Sequence, residues 1–140
     1  MIRGINIPSY LDIGAYHPFK FRNTAIFYLK VAKCVNIEPN PNQYKYFQTY
    51  RKKDVNLNID IGAENGILTY FLMNEPTMNT FDKSSMIDLV QNHGFKLKEK
   101  MDLPVMNLAT IIQKYCNGIF PDFLSLDVEG LDEMILKLLN

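Results

Sequence analysis

Among 140 residues there are only two cysteines, no net charge and no long apolar run, and each shortage removes a class of function. Cys34 and Cys116 have neither metal-ligand nor redox spacing. One falls in an expected strand and the other late in an expected helix, so both read as reduced core thiols of a cytoplasmic protein. The 15 basic residues balance the 15 acidic ones, which leaves no broad electrostatic case for nucleic acid or an anionic membrane. Two local basic groups, Arg51-Lys52-Lys53 and Lys96, Lys98, Lys100, read as solvated faces. No stretch approaches the roughly 18 apolar residues of a membrane span, and the N-terminus has no signal-peptide core. Internal repeats and low-complexity segments are also missing. With 47% apolar and 21% charged residues, the composition is that of one globular domain spanning 1–140.

What is present alternates between short apolar runs and helical stripes. Tyr10 to Ile13 reads as a strand, and Ala25, Ile26, Leu29 and Ala32 form a helical stripe within Asn23 to Lys33, with Asn23 as its cap. Cys34 to Ile37 is a second strand, stopped by Pro39-Asn40-Pro41, and a helix follows from Asn42 to Arg51. Its aromatics Tyr44, Tyr46, Phe47 and Tyr50 read mostly as core. Val55 to Ile61 alternates with period two, a third strand. Glu64-Asn65-Gly66 is a turn signal, and the strand formers from Ile67 to Met73 suggest a hairpin-like addition. A helix over Ser84 to Asn92 ends at Gly94, with His93 as a favourable cation at its C-terminus. Phe95 to Val105 reads as a strand with one wet face, Leu108 to Tyr115 as a helix, Phe123 to Val128 as a buried strand, and Asp132 to Leu139 as a final helix. This βαβαβ order predicts an α/β sandwich with right-handed crossovers.

Three acids stand at the carboxyl ends of three of these strands: Asp12, Glu38 and Asp127. Open α/β sheets bind nucleoside-bearing ligands at such ends. Gly14 lets the first turn approach a ligand closely. Asp12 can accept from a ligand ammonium or orient the loop. Glu38 lies near the spacing at which an acid accepts from two ribose hydroxyls, both of them donors. The competing reading makes Asp12 and Glu38 mere loop caps. Neither G-x-x-x-x-G-K-[ST] nor G-x-G-x-x-G occurs, since Gly14 is followed by Ala15, Tyr16 and His17. A loop with one glycine is poorly made to wrap a pyrophosphate. A nucleoside without a phosphate chain fits better, and S-adenosylmethionine is the common one.

Several segments, in order along nearly the whole chain, carry a family resemblance. They are Tyr10-Leu11-Asp12-Ile13-Gly14-Ala15, His17-Pro18, Asn23-Thr24, Asn36-Ile37-Glu38-Pro39-Asn40-Pro41, Asn56-Leu57-Asn58, Gly62 with Gly66, Asn79-Thr80-Phe81, and Phe123 to Gly130. Together they resemble the FkbM family of S-adenosylmethionine-dependent methyltransferases. The resemblance implies a Rossmann-like class I methyltransferase fold, a three-layer α/β sandwich with a mostly parallel sheet. It implies methyl transfer to a hydroxyl of a saccharide or small metabolite. Asp12, Gly14, Ala15 and Tyr16 would line the methionine end of the cofactor, Glu38 and Pro39 the ribose, Asp60 to Gly62 the adenine, and Asp127 the transferring methyl. A full class I sheet has seven strands, and only one helix fits after Gly130, so the last strands are expected to be missing.

His17 and Asp127 are the candidate general bases, His17 because its pKa lies near neutrality. Glu129 and Asp132 beside Asp127 suggest magnesium, but no His or Cys joins them, so no metal is expected. The leading reading is an O-methyltransferase in the cytoplasm, with a small-molecule or saccharide acceptor, an oligomer as an open option, and neither nucleic acid nor membrane as partner. A truncated, inactive cofactor-binding remnant is the alternative. A Rossmann oxidoreductase is a third reading, disfavoured by the absent glycines.

Overall fold

A computed structural model describes residues 9–14 and 34–126. The helices expected over 23–33 and 132–139 lie outside them. Seven strands are described: β1 (Tyr10–Ile13), β2 (Cys34–Ile37), β3 (Val55–Leu57), β4 (Asp60–Ile61), β5 (Gly66–Met73), β6 (Leu97–Met106) and β7 (Phe123–Leu126). Three α-helices join them: α1 (Pro41–Tyr50), α2 (Lys83–Asn92) and α3 (Leu108–Tyr115), with one 3-10 turn at Pro76–Met78. The first sheet has the order β3-β2-β1-β7, all parallel. The second has the order β4-β6-β5, with β4 parallel and β5 antiparallel to β6. This is the α/β, Rossmann-like architecture expected from the sequence, with a mostly parallel sheet at its centre.

Each helix starts where a side chain can satisfy its orphan backbone donors. Asn40 accepts from the amide of Asn42, and Pro41 opens α1 where a missing N–H costs nothing. Asp82 accepts from the amides of Ser84 and Ser85, and bonds from the Ser85 and Ser84 hydroxyls, with those two amides, hold its carboxyl below the usual range. Asn107 accepts from Thr110. After α2 the chain reverses at Gly94, whose φ of 72° suits glycine, with His93 at the helix C-terminus as expected.

Because side chains alternate along a strand, the first sheet has two unlike faces. One is apolar: Leu11, Ile13, Val35 and Ile37 pack with Ile59, Ile61 and with Leu108 and Ile111 of α3, all buried. Burying each such side chain contributes about 1.5–3 kcal/mol, so this layer is the main source of cohesion. The other face carries Tyr10, Asp12, Asn36 and Ser125, buried as well but polar. It packs against α1 through Phe47 and Arg51.

Four expectations from the sequence need correction. The strand read as Val55 to Ile61 breaks after Leu57: residues 55–57 pair with β2, whereas Asp60 and Ile61 pair with β6. The alternation continues through the break, so period two alone could not show it. The strand β5 does not fold back on its predecessor; it pairs with β6, with α2 in between. Arg51 is not on a solvated face but fully buried, unlike Lys52 and Lys53, which are exposed. Of the α1 aromatics only Phe47 is core, while Tyr46 and Tyr50 stand about half exposed. The helix meets the sheet along the narrow line from Phe47 to Arg51, leaving no room for three more rings.

Candidate functional site

The parallel strands β1, β2 and β3 end side by side, and backbone bonds carry the ladder one step past them. The Gly14 amide donates to the Ile37 carbonyl at 3.0 Å, and the Glu38 amide donates to Leu57 at 3.0 Å. These bonds place Gly14 and Glu38 on one rim, with Asp12 directly below. Gly14 has a φ of 73°, a left-handed conformation in which a side chain would be strained. Glu38 is 5% exposed, and its Oε1 accepts from the Asn40 amide at 2.8 Å. A buried acid at a strand end, with one oxygen held by backbone, is an oriented acceptor.

Asp60 lies next to this rim, at the start of β4. Burial raises its carboxyl to about 6, while a hydrogen bond from the Ile61 backbone pulls the other way. Across from it, Tyr70 of β5 stacks on Phe81, with ring centroids 4.4 Å apart. Its phenol is pushed up to about 12, first by burial and then by the negative charges of Glu38 and Asp60, against a hydrogen bond with Asn79. Glu38, Asp60 and Tyr70 therefore share one electrostatic neighbourhood, in which a hydrogen-bond donor is welcome and an anion is not. Gly62 follows, its amide donating to Met106 at 3.1 Å. A Cβ there would meet Val105 Cγ1 at 2.8 Å, so the glycine permits the close pairing of β4 with β6.

Beneath the rim, the registered residues Ser125, Asp12, Asn36 and Asn56 form one polar row across all four strands. Asn36 donates to Asn56 Oδ1 and to Asp54 Oδ2, both at 2.9 Å. Arg51 reaches under the sheet to pair with Asp54 at 3.0 Å, and both side chains are wholly buried. The Tyr10 hydroxyl donates to Asp54 and accepts from Arg51. Its ring lies under the guanidinium at 5.4 Å. Burial, then the hydrogen bond to Asp54, raises the Tyr10 phenol far above its ordinary range. Asn56 donates to the Phe47 and Arg51 carbonyls, closing the C-terminus of α1. None of this network except Asp12 was anticipated as functional. Its signal was visible only as polar residues at the inward positions of apolar strands.

The structure thus brings together Asp12, Gly14, Glu38, Pro39, Asp60 and Gly62. The other candidates, Ala15, Tyr16, His17 and Asp127, lie outside the described residues. So does the Asp127, Glu129, Asp132 set, and among the described residues no cluster of three metal-ligating side chains occurs. Among the described residues no helix is long and apolar enough to cross a membrane. A cavity of about 430 Å³ opens at the opposite, amino-terminal end of the sheet, lined by Val35, Val55, Tyr115 and Cys116 among others. The Cys116 thiol there is raised by burial. That cavity is larger than the polar cleft of about 280 Å³ beside Asn40, yet no acid among the described residues lines it. Shape favours one end of the sheet and chemistry the other. We take the carboxyl-terminal rim as the candidate site, because the oriented, buried Glu38 carboxylate and the raised Asp60 carboxyl stand there.

A parallel four-stranded sheet with α-helices between its strands defines a Rossmann-like α/β domain. The comparison with protein families narrows this class. The chain matches the methyltransferase FkbM domain over residues 12–139, and it belongs to that family. No curated protein and no solved structure matched it.

Proposed function

We propose that this methyltransferase-family domain binds S-adenosylmethionine at the rim formed by Asp12, Gly14, Glu38, Asp60 and Gly62, and transfers its methyl group to a hydroxyl oxygen. The observation that carries the reading is Glu38, buried at the end of β2 with one carboxylate oxygen fixed by the Asn40 amide. A carboxylate so placed suits two vicinal ribose hydroxyls, because both can donate and its two oxygens can accept both bonds. The left-handed Gly14 fits too, since it puts no side chain on the rim. The residues present therefore suit this group.

When bound, S-adenosylmethionine supplies a methyl on a positively charged sulfur, already bonded to a good leaving group. The chain's own task is then mainly to orient and to exclude water. Glu38 and Pro39 hold the ribose, Asp60 accepts from an amino donor of the base, and Asp12 and Gly14 shape the floor of the first turn. His17 or Asp127 takes the acceptor's proton. The acceptor is a saccharide or small-metabolite hydroxyl.

Calorimetry with S-adenosylhomocysteine tests this. Wild-type binding in the micromolar range, weakened about tenfold or more in Glu38→Ala, is the expected result, since hydrogen bonds to a charged group are worth about 1.5–3 kcal/mol. Heat from NAD but none from S-adenosylhomocysteine would turn the reading toward an oxidoreductase.

A further inference from the structure

The segment Glu38-Pro39-Asn40-Pro41-Asn42 is short of backbone donors, because two of its five residues are proline. Its three remaining amides are all used. Glu38 donates to Leu57 of β3, Asn40 to the Glu38 carboxylate, and Asn42 to the Asn40 side chain. Of its first three carbonyls, that of Asn40 accepts from Tyr44 as the opening bond of α1. The carbonyls of Glu38 and Pro39 both accept from one atom, Nδ2 of Asn58, at 2.9 and 2.8 Å. An amide nitrogen has two hydrogens, so these two bonds use its full donor capacity. One side chain therefore supports both peptide planes that follow the ligand acid.

Asn58 sits where it can do this because the chain leaves the first sheet at Leu57 and joins the second at Asp60. The break in the strand frees its side chain from the pleat and turns it across to β2. Buried backbone carbonyls need partners, and here one side-chain amide serves both.

We propose that Asn58 is a positioning residue for Glu38: it orients the Glu38–Pro39 and Pro39–Asn40 peptides so that the carboxylate meets the ribose in one geometry. The proposal rests on the methyltransferase reading above. Asn58 touches no ligand in this scheme and acts only through the acid.

A double-mutant cycle separates that role from ordinary packing. Calorimetry with S-adenosylhomocysteine on the full chain would compare wild type, Glu38→Ala, Asn58→Ala and the double variant. Each single change should weaken binding about tenfold, and the double variant should bind no worse than Glu38→Ala. Multiplying effects, or an Asn58→Ala variant that binds like wild type, would overturn the proposal and leave the methyltransferase reading standing. A wild type that binds nothing would overturn both. Asn58→Asp gives a ligand-free second measurement, since its carboxylate faces two carbonyls in place of a donor. Amide hydrogen exchange should speed up at Asn40, whose N–H is held by Glu38, while the amides of Val35 to Ile37 keep their protection. A uniform rise across β1, β2 and β3 would mean that Asn58 merely stabilises the fold, and would count against the proposal.

Discussion

The two faces of the four-stranded sheet share the same strands and the same burial, yet they are built from opposite materials. Toward α3 the strands present Leu11, Ile13, Val35 and Ile37. Toward α1 they present Tyr10, Asp12, Asn36, Asn56 and Ser125, over the ion pair of Arg51 and Asp54. The first face supplies cohesion and tolerates any partner of the right shape. The second has directional partners, and a hydrogen-bonded row allows few alternative registers. It lies beneath the rim that holds Glu38, and it fastens the C-terminus of α1 while the N-terminus of that helix carries the Glu38–Asn40 turn. Buried polar networks often cost stability relative to an apolar core, so their use here, directly beneath the site, points to precise placement.

The comparison breaks most visibly at Asp54. Asp54→Ala leaves the buried Arg51 guanidinium without its carboxylate, and should cost about 3–5 kcal/mol in urea unfolding. Arg51→Met combined with Asp54→Leu should cost less than Asp54→Ala alone, because no charge remains stranded. On the other face, Ile111→Ala removes a fully buried side chain and should cost about 3 kcal/mol, through lost transfer energy and a cavity. That loss should be the same from pH 5 to 8, since no titrating group is involved.

A smaller effect of opposite sign is expected at the rim. The Asp60 carboxyl is raised from 3.8 to about 6 on folding. Between those values the folded chain binds more protons than the unfolded one, so stability falls as pH rises. The contribution is full below pH 4 and lost above pH 6. Asp60→Asn should therefore stabilise the protein by about 2 kcal/mol at pH 7.5 and by nothing at pH 3.5. A thermal melt at both values checks this. If the same variant also weakens S-adenosylhomocysteine, the strain at Asp60 serves binding.

Much of the sheet was legible in the sequence because its signals are local. The strands at 10–13 and 34–37 and the helix at 108–115 fall where short apolar runs and a helical stripe put them. Gly94 marked a left-handed helix end and Gly14 a tight first turn for the same reason, and both have positive φ. What could not be read depends on pairing across the chain. Nothing within Val55 to Ile61 says that its two halves join different sheets. Nothing within β5 says that its partner is β6. Arg51 looked like surface because it stands beside two lysines, whereas its partners, Tyr10, Asn36 and Asp54, come from three separate segments. Asn58 had one usable clue: it stands between two apolar residues of the expected strand, and the Pro-Asn-Pro segment earlier in the chain is short of its own donors.

The central claim is that the ligand binds at the carboxyl-terminal rim of the first sheet, and not in the larger apolar cavity at its other end. Titrating the isotope-labelled chain with S-adenosylhomocysteine and following its amide resonances tests this directly. The largest shifts should fall at Asp12 to Gly14, at Glu38 and Asn40, and at Asn58 to Gly62, with little change at Val55, Tyr115, Cys116 and Ile119. Shifts concentrated at those last four, with the rim unchanged, would contradict the account.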